Sequence, residues 1–276
     1  MIPLEATPES ENRKAEQLNL GSYLDTAFTV VELVVIVGIA CLLAAIGWPA
    51  LSHTRNQSQN VVDVYNNRQL MAAVALYAAD QQESLPGNGW GVSSACWAHA
   101  ANLPTYGNAT AATFPTLLSN QVEFCKRGQL YPYLRTPSVF KCPNDPTNQL
   151  YFQRNIYFTS YIWNGAVSGY GNLSQGAGSF RITQFQPNCI LQWEADELTP
   201  FFFNDCSEYP DEGISSRHGT FATVGLVSGG VQRIPVNQWF SSSYAGAAYQ
   251  RGSTIPLAKL PNPAWCNPAV RSGLLY

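Results

Sequence analysis

The stretch from Phe28 to Leu51 reads FTVVELVVIVGIACLLAAIGWPAL and carries a single charged side chain, Glu32. A run this long and this apolar constrains the chain more than any other feature, because a helix that is hydrophobic on every side must be covered on every side. Roughly 20 such residues cross a bilayer core as a helix, so the sequence predicts a membrane-spanning helix over 28–51. A buried core helix is the plainer alternative, but such helices are shorter and carry one polar face. A cleaved secretory signal fits less well. It starts basic and has a shorter apolar stretch, whereas residues 1–27 carry Glu5, Glu9, Glu11, Glu16 and Asp25 against Arg13 and Lys14. Arg13 and Lys14 on one side and Arg55 and Arg68 on the other leave orientation undecided by charge bias.

The remainder of the chain is sparing with charge. Charged residues make up 12% of 276, with a formal net charge of -3, about half the usual charged fraction. No basic surface is available for nucleic acid, which is excluded as a partner. Cys41 falls inside the apolar run, leaving Cys96, Cys125, Cys142, Cys189, Cys206 and Cys266. An even six with no C-x-x-C pair and no Cys/His cluster of zinc spacing argues for disulfides in an oxidising compartment, and against a thiolate metal site. Six cysteines allow about 15 connectivities. Closeness in sequence favours Cys125 with Cys142 and Cys189 with Cys206.

A carboxylate four residues into an apolar helix needs a reason. The segment Ala27-Phe28-Thr29-Val30-Val31-Glu32-Leu33 resembles the processing site of type IV pilins and type II secretion pseudopilins, and Pro49 matches a proline often found in their first helix. The resemblance implies that a prepilin peptidase cuts between Ala27 and Phe28 and methylates the new amine. Glu32 would then pair with the Phe28 ammonium of a neighbouring copy during assembly, and Pro49 would kink the helix. It also implies a single-pass protein of the bacterial inner membrane, with its head in the periplasm or outside the cell, whose partners are copies of itself and other pseudopilins.

Beyond Pro49, positions 61, 64, 65, 68, 71, 72, 75 and 76 fall on one helix face with Arg68 the sole charge. A helix from Phe28 to about Ala79 would be ~78 Å long at ~1.5 Å per residue, and Pro86-Gly87-Asn88-Gly89 follows as turn sequence. From Trp90 the chain is rich in Gly, Pro, Asn and aromatic residues, and strands are predicted at 157–163, 189–194, 220–227 and 231–236. The last two are joined by Ser228-Gly229-Gly230, a hairpin signal. The expected fold class is α+β: a long N-terminal membrane-spanning helix, the pilin stalk, packed on an antiparallel β-sheet head with long loops. The expected organisation is a leader at 1–27, a transmembrane or filament-core helix at 28–51, an amphipathic stalk at 52–85, a head at 86–236 and an extension at 237–276.

Three head segments are similar to those of the large pseudopilin-like family of planctomycetes and verrucomicrobia. They are Leu130 to Leu134 with Val139-Phe140-Lys141-Cys142-Pro143-Asn144-Asp145, then Ser160-Tyr161-Ile162-Trp163-Asn164-Gly165, then Arg217-His218-Gly219 followed by Val224 to Val231. That family closes on a His with Asp-Gly about nine residues later; here Ser228 and Gly229 stand at the Asp-Gly position. On this reading His218, ahead of the hairpin, braces the turn at Ser228.

Seven of the eighteen acids lie between Glu194 and Gly213, including Asp205, Glu208, Asp211 and Glu212, which are the candidate oxygen ligands for Ca²⁺. His53, His99 and His218 sit in no nucleophile or base motif, so no enzyme is expected. The function this predicts is a structural subunit of a type II secretion pseudopilus or a type IV pilus-like filament, stored in the membrane before assembly. The alternative is a permanently anchored extracytoplasmic binding module whose Trp and Tyr rings stack on glycans.

Overall fold

The computed structural model describes residues 29–168, 180–241, 263–266 and 268, together with the backbone but not the side chains of 47–53 and 55. The leader, with Ala27 and Phe28, and most of the C-terminal extension lie outside the described residues. The chain divides into two compact units, 1–54 and 55–276.

Helix α1 spans Val30–Asp80 and continues through Pro49. It begins with a capping box that the spacing Thr29-x-x-Glu32 encodes. The Thr29 backbone N–H and hydroxyl donate to Glu32 Oε2 at 2.9 and 2.8 Å, and the Glu32 N–H donates to Thr29 Oγ1 at 3.2 Å. The sequence reading of a membrane-spanning helix is corrected here: among the described residues, no helix is long and apolar enough to cross a membrane.

Within the 55–276 unit, α1 buries a different face from the one its apolar spacing predicts. Asp63, Asn66, Asn67, Leu70, Met71, Ala73, Val74 and Ala78 point into the head, whereas Val61, Tyr65 and Leu76 are 69%, 60% and 54% exposed. Only Met71 is common to the predicted and the observed faces. The reason is polar pairing. Tyr161 donates to Asp63 Oδ1 at 2.7 Å, and Asn66 donates to the Lys141 carbonyl at 3.1 Å. Hydrogen-bonded polar groups can take the place of apolar ones in a core, and a hydrophobic periodicity search passes over them.

After α1, Gln82 and Glu83 both adopt left-handed backbone conformations, and Ser84 bridges to Arg181. Helix α2, Phe114–Cys125, was not foreseen. Gln121 is buried at its centre, donating to the carbonyls of Pro104 and Asn155 and accepting from the Tyr157 N–H. A polar residue again stands where the helical pattern calls for an apolar one.

Five strands form one sheet in the order β3-β1-β2-β4-β5: β1 Tyr161–Asn164, β2 Ile190–Glu194, β3 Ser207–Glu208, β4 Phe221–Leu226 and β5 Val231–Pro235. Three of the four long ones fall within the predicted segments, and β1 runs one residue past its segment, to Asn164. All pairings are antiparallel except β1 with β3, so the sheet is mixed at that edge. One face packs on Leu70, Met71 and Val74 of α1; the other is covered by Phe203, Trp239 and Trp265. Residues of β1 and β2 are buried on both sides, which is why these strands show no polar alternation. The β4–β5 hairpin turns at 227–230, with Gly229 at φ 85°.

Candidate functional site

The three head segments that carry the family resemblance meet at one buried place. Cys142 follows a helical turn at Pro137–Phe140, and its N–H donates to Ser160 Oγ at 3.1 Å. Ser160 in turn donates to Asp145 Oδ2 at 2.7 Å. Tyr161 lies opposite Glu194 in the β1–β2 register, which sets both residues over Asp63 of α1. Arg217 and His218 enter from the loop ahead of β4. Asp63, Cys142, Glu194 and His218 each place one atom within 4.8 Å of all the others.

Two subsites share this cluster. In the first, Asp145 receives Arg154 through two bonds of 2.7 and 3.0 Å, and the Arg217 guanidinium lies 3.3 Å away. Burial tends to raise the Asp145 pKa, but Arg217 and Arg154 hold it below the ordinary carboxylate value. Arg217 also donates to Ser215 Oγ and the Ala195 carbonyl, at 2.7 and 2.9 Å.

In the second, His218 Nε2 lies 2.9 Å from Glu194 Oε2, 3.4 Å from Asp63 Oδ2 and 3.4 Å from Cys142 Sγ. Burial lifts the Asp63 carboxyl to about 6, with Glu194 adding to the rise. It raises the Cys142 thiol as well. Burial alone would depress His218, yet its contacts with Glu194 and Asp63 leave it above the ordinary imidazole value.

His218 therefore does not brace the hairpin. Its partners are Asn60, Asp63, Cys142, Asn144 and Glu194, while Ser228 bonds the Pro187 carbonyl and its own turn. The nine-residue spacing runs along β4, which carries the turn to the far end of the strand. His99 is buried elsewhere, with Nδ1 donating to the Ala100 carbonyl at 2.8 Å. The His53 side chain is outside the described residues.

The acids singled out for calcium do not converge on a common point among the described residues. Asp205 accepts from the Gly91 and Ser207 N–H groups, and Glu212 accepts from the Tyr209 N–H. Glu208 points inward from β3, fully buried, and neither carboxylate oxygen finds a hydrogen-bond donor of good geometry. Burial first, then Glu212, Asp205 and Asp196, push its pKa well above the ordinary value.

A folded-state pKa above the unfolded one means that folding holds the proton. The associated stability is intact below the unfolded value, near 4.5, and is lost as pH rises through the folded value, at about 1.4 kcal/mol per pH unit. Glu208→Gln removes this proton. Urea unfolding at pH 5 and pH 7 should show the wild type losing more stability across that interval than the variant. Equal losses would mean that Glu208 is ionised in the fold.

The cysteines are unbridged in this structure. Cys96 lies in hydrogen-bond contact with Cys206, and Cys189 with Cys266, rather than in the pairs suggested by closeness in sequence. Cys142 faces His218. The tryptophans expected to offer a sugar platform are mostly interior: Trp97, Trp163, Trp193, Trp239 and Trp265 are fully buried, and Trp90 is 38% exposed.

No protein-family model, curated protein or solved structure matches the chain. Nothing in the residue order marked Asp63 or Asn60 directly as members of the cluster, and Glu194 stood out only as one of the seven clustered acids. The one signal available was indirect: Asp63, Asn66 and Asn67 repeat at helical spacing, which would place them on a common, polar-bearing buried face.

Proposed function

We propose that this chain is a subunit of a pilus-like or pseudopilus filament, in which the N-terminal helices of many copies pack against one another. The observation that carries this reading is the uncovered apolar surface of α1. Val30, Val31, Val34, Leu42, Leu43 and Ile46 are all more than 60% exposed, a contiguous patch far beyond what a monomer in water leaves open. Copies of the same helix are the matching cover, because the surface is apolar on all sides and begins at a Glu that can meet a neighbour's amine. Val61, Tyr65 and Leu76 add further apolar contact surface on the head's own stretch of α1. Cleavage before Phe28 by a prepilin peptidase, with the head outside the cytoplasm, belongs to the same reading.

Glu32 caps its own helix, so two substitutions are needed to separate capping from assembly. Glu32→Gln retains a capping-box acceptor and removes the charge, whereas Glu32→Ala removes both. Filament incorporation should fall at least tenfold in both variants, and intact mass of assembled protein should show a chain beginning at Phe28. Normal assembly of Glu32→Gln would reduce Glu32 to a helix cap. Filaments built of chains that retain Met1 would overturn the processing step.

A further inference from the structure

We propose that Asp63, Cys142, Glu194 and His218 form a closed site for one divalent transition-metal ion of the zinc class, which fastens α1 to the sheet. This goes beyond the assembly reading and does not depend on it.

The donor set is one imidazole, one thiolate and two carboxylates, a combination suited to Zn²⁺ and its first-row neighbours rather than to Ca²⁺ or Mg²⁺, which take oxygen alone. A tetrahedral ion with bonds of roughly 2.0–2.3 Å holds its ligand atoms about 3.3–3.8 Å apart. His218 Nε2 already stands 3.4 Å from both Cys142 Sγ and Asp63 Oδ2, and no pair of ligand atoms exceeds 4.8 Å. An ion drawing the four inward needs only small side-chain adjustments.

Hydrogen bonding leaves these atoms short of partners. Asp63 and Glu194 are fully buried, and Asp63 Oδ2 and both Glu194 oxygens lack a hydrogen-bond donor of good geometry. The protons that face these oxygens are those of His218 Nε2, the Cys142 thiol and the Thr223 hydroxyl, none of them in a well-aligned bond. A metal ion satisfies all.

The surrounding groups hold the ligands in metal-binding form. His218 Nδ1 is 2.6 Å from Asn60 Oδ1, an atom that can only accept, so Nδ1 keeps its proton and Nε2 is the nitrogen that would exchange its own for a metal ion. Asn144 fixes the Asn60 amide by donating to the same oxygen at 2.8 Å. The Asn144 backbone N–H lies 3.4 Å from Cys142 Sγ, an N–H···S contact that supports a thiolate. Tyr161 donates to the other oxygen of Asp63.

The charges also close. Three anionic ligands and a divalent ion leave one negative charge, and Arg217 lies 3.7 Å from Glu194 Oε1 to balance it. With four protein ligands and full burial, the site has the features of a structural centre. Its ligands come from α1, the turn after residue 140, β2 and the loop ahead of β4, so the ion joins four segments far apart in sequence.

The full-length chain, purified without chelator, should contain one zinc ion per molecule by elemental mass spectrometry. After stripping with EDTA, Co²⁺ should produce a thiolate-to-metal charge-transfer band together with the intense visible bands of tetrahedral cobalt. Zn²⁺ at about a hundredfold excess over its Kd should raise the melting temperature by about 5–10 °C. Cys142→Ser should lose the charge-transfer band, and Asp211→Asn, in the acidic segment, should retain it. The wild-type cobalt spectrum decides the question even where a ligand variant fails to fold. Cobalt binding without a thiolate band, or a stripped chain whose melting temperature is unmoved by Zn²⁺, Co²⁺ and Mn²⁺, would overturn the site.

Discussion

Asp145→Ala is expected to destabilise the 55–276 unit by about 3–5 kcal/mol, the usual consequence of removing one partner from a buried ionic group. The substitution would leave Arg154 and Arg217 inside the protein without the carboxylate that both contact, and would strip Ser160 of its acceptor. At ~2–4 °C per kcal/mol for a unit of this size, the melting temperature should fall by about 6–20 °C. Asp145→Asn keeps an acceptor for Ser160 but loses the charge, and should fall between the two. The Asp145 pKa is depressed in the fold, so its contribution is present above the unfolded value near 3.8 and is lost as pH falls through the folded one. Measurements at neutral pH therefore see all of it. A loss below about 1 kcal/mol would show that the two arginines find other partners or water.

Gly128→Ala should have an effect of similar size for a steric reason. A Cβ on Gly128 would stand 2.6 Å from the Ala98 carbonyl carbon, 2.7 Å from its oxygen and 2.7 Å from the His99 nitrogen. All three are backbone atoms that cannot rotate away. They belong to the segment that bonds Gln129 and Leu130 through the carbonyls of Cys96 and Trp97, so relief requires separating two chain segments. A loss of about 3 kcal/mol or more is expected, at the upper end of overpacking effects, read by chemical denaturation. Gly107→Ala is the matched control: the nearest atom to its Cβ is a side-chain oxygen at 3.6 Å, an ordinary contact. Equal stability of the two variants would mean that the 98–99 segment yields at little expense.

Together with the metal site, these expectations place the strength of the head at its buried polar cluster. Apolar burial is ample on both faces of the sheet, but it does not specify how α1 is rotated against the head. The pairings of Asp63 with Tyr161 and Asn66 with Lys141 do, because a rotation of about 100° would leave buried polar atoms without partners.

Residue order alone made legible the long first helix, the positions of the four principal strands and the hairpin at 227–230. These are local matters of spacing and turn chemistry, legible wherever neighbours in sequence are also neighbours in space. It also marked Cys142, Ser160, Tyr161 and His218 as belonging to segments of one pattern. The packed fold settled which face of α1 is buried, that Gln121 anchors a second helix and that β3 pairs in parallel at the sheet edge. It alone brought Asp63, Cys142, Glu194 and His218 together. Zinc spacing was absent from the sequence because no two of these residues share a local segment, and a site assembled from four distant pieces has no spacing to read. Its geometry exists only once the sheet register and the rotation of α1 are fixed.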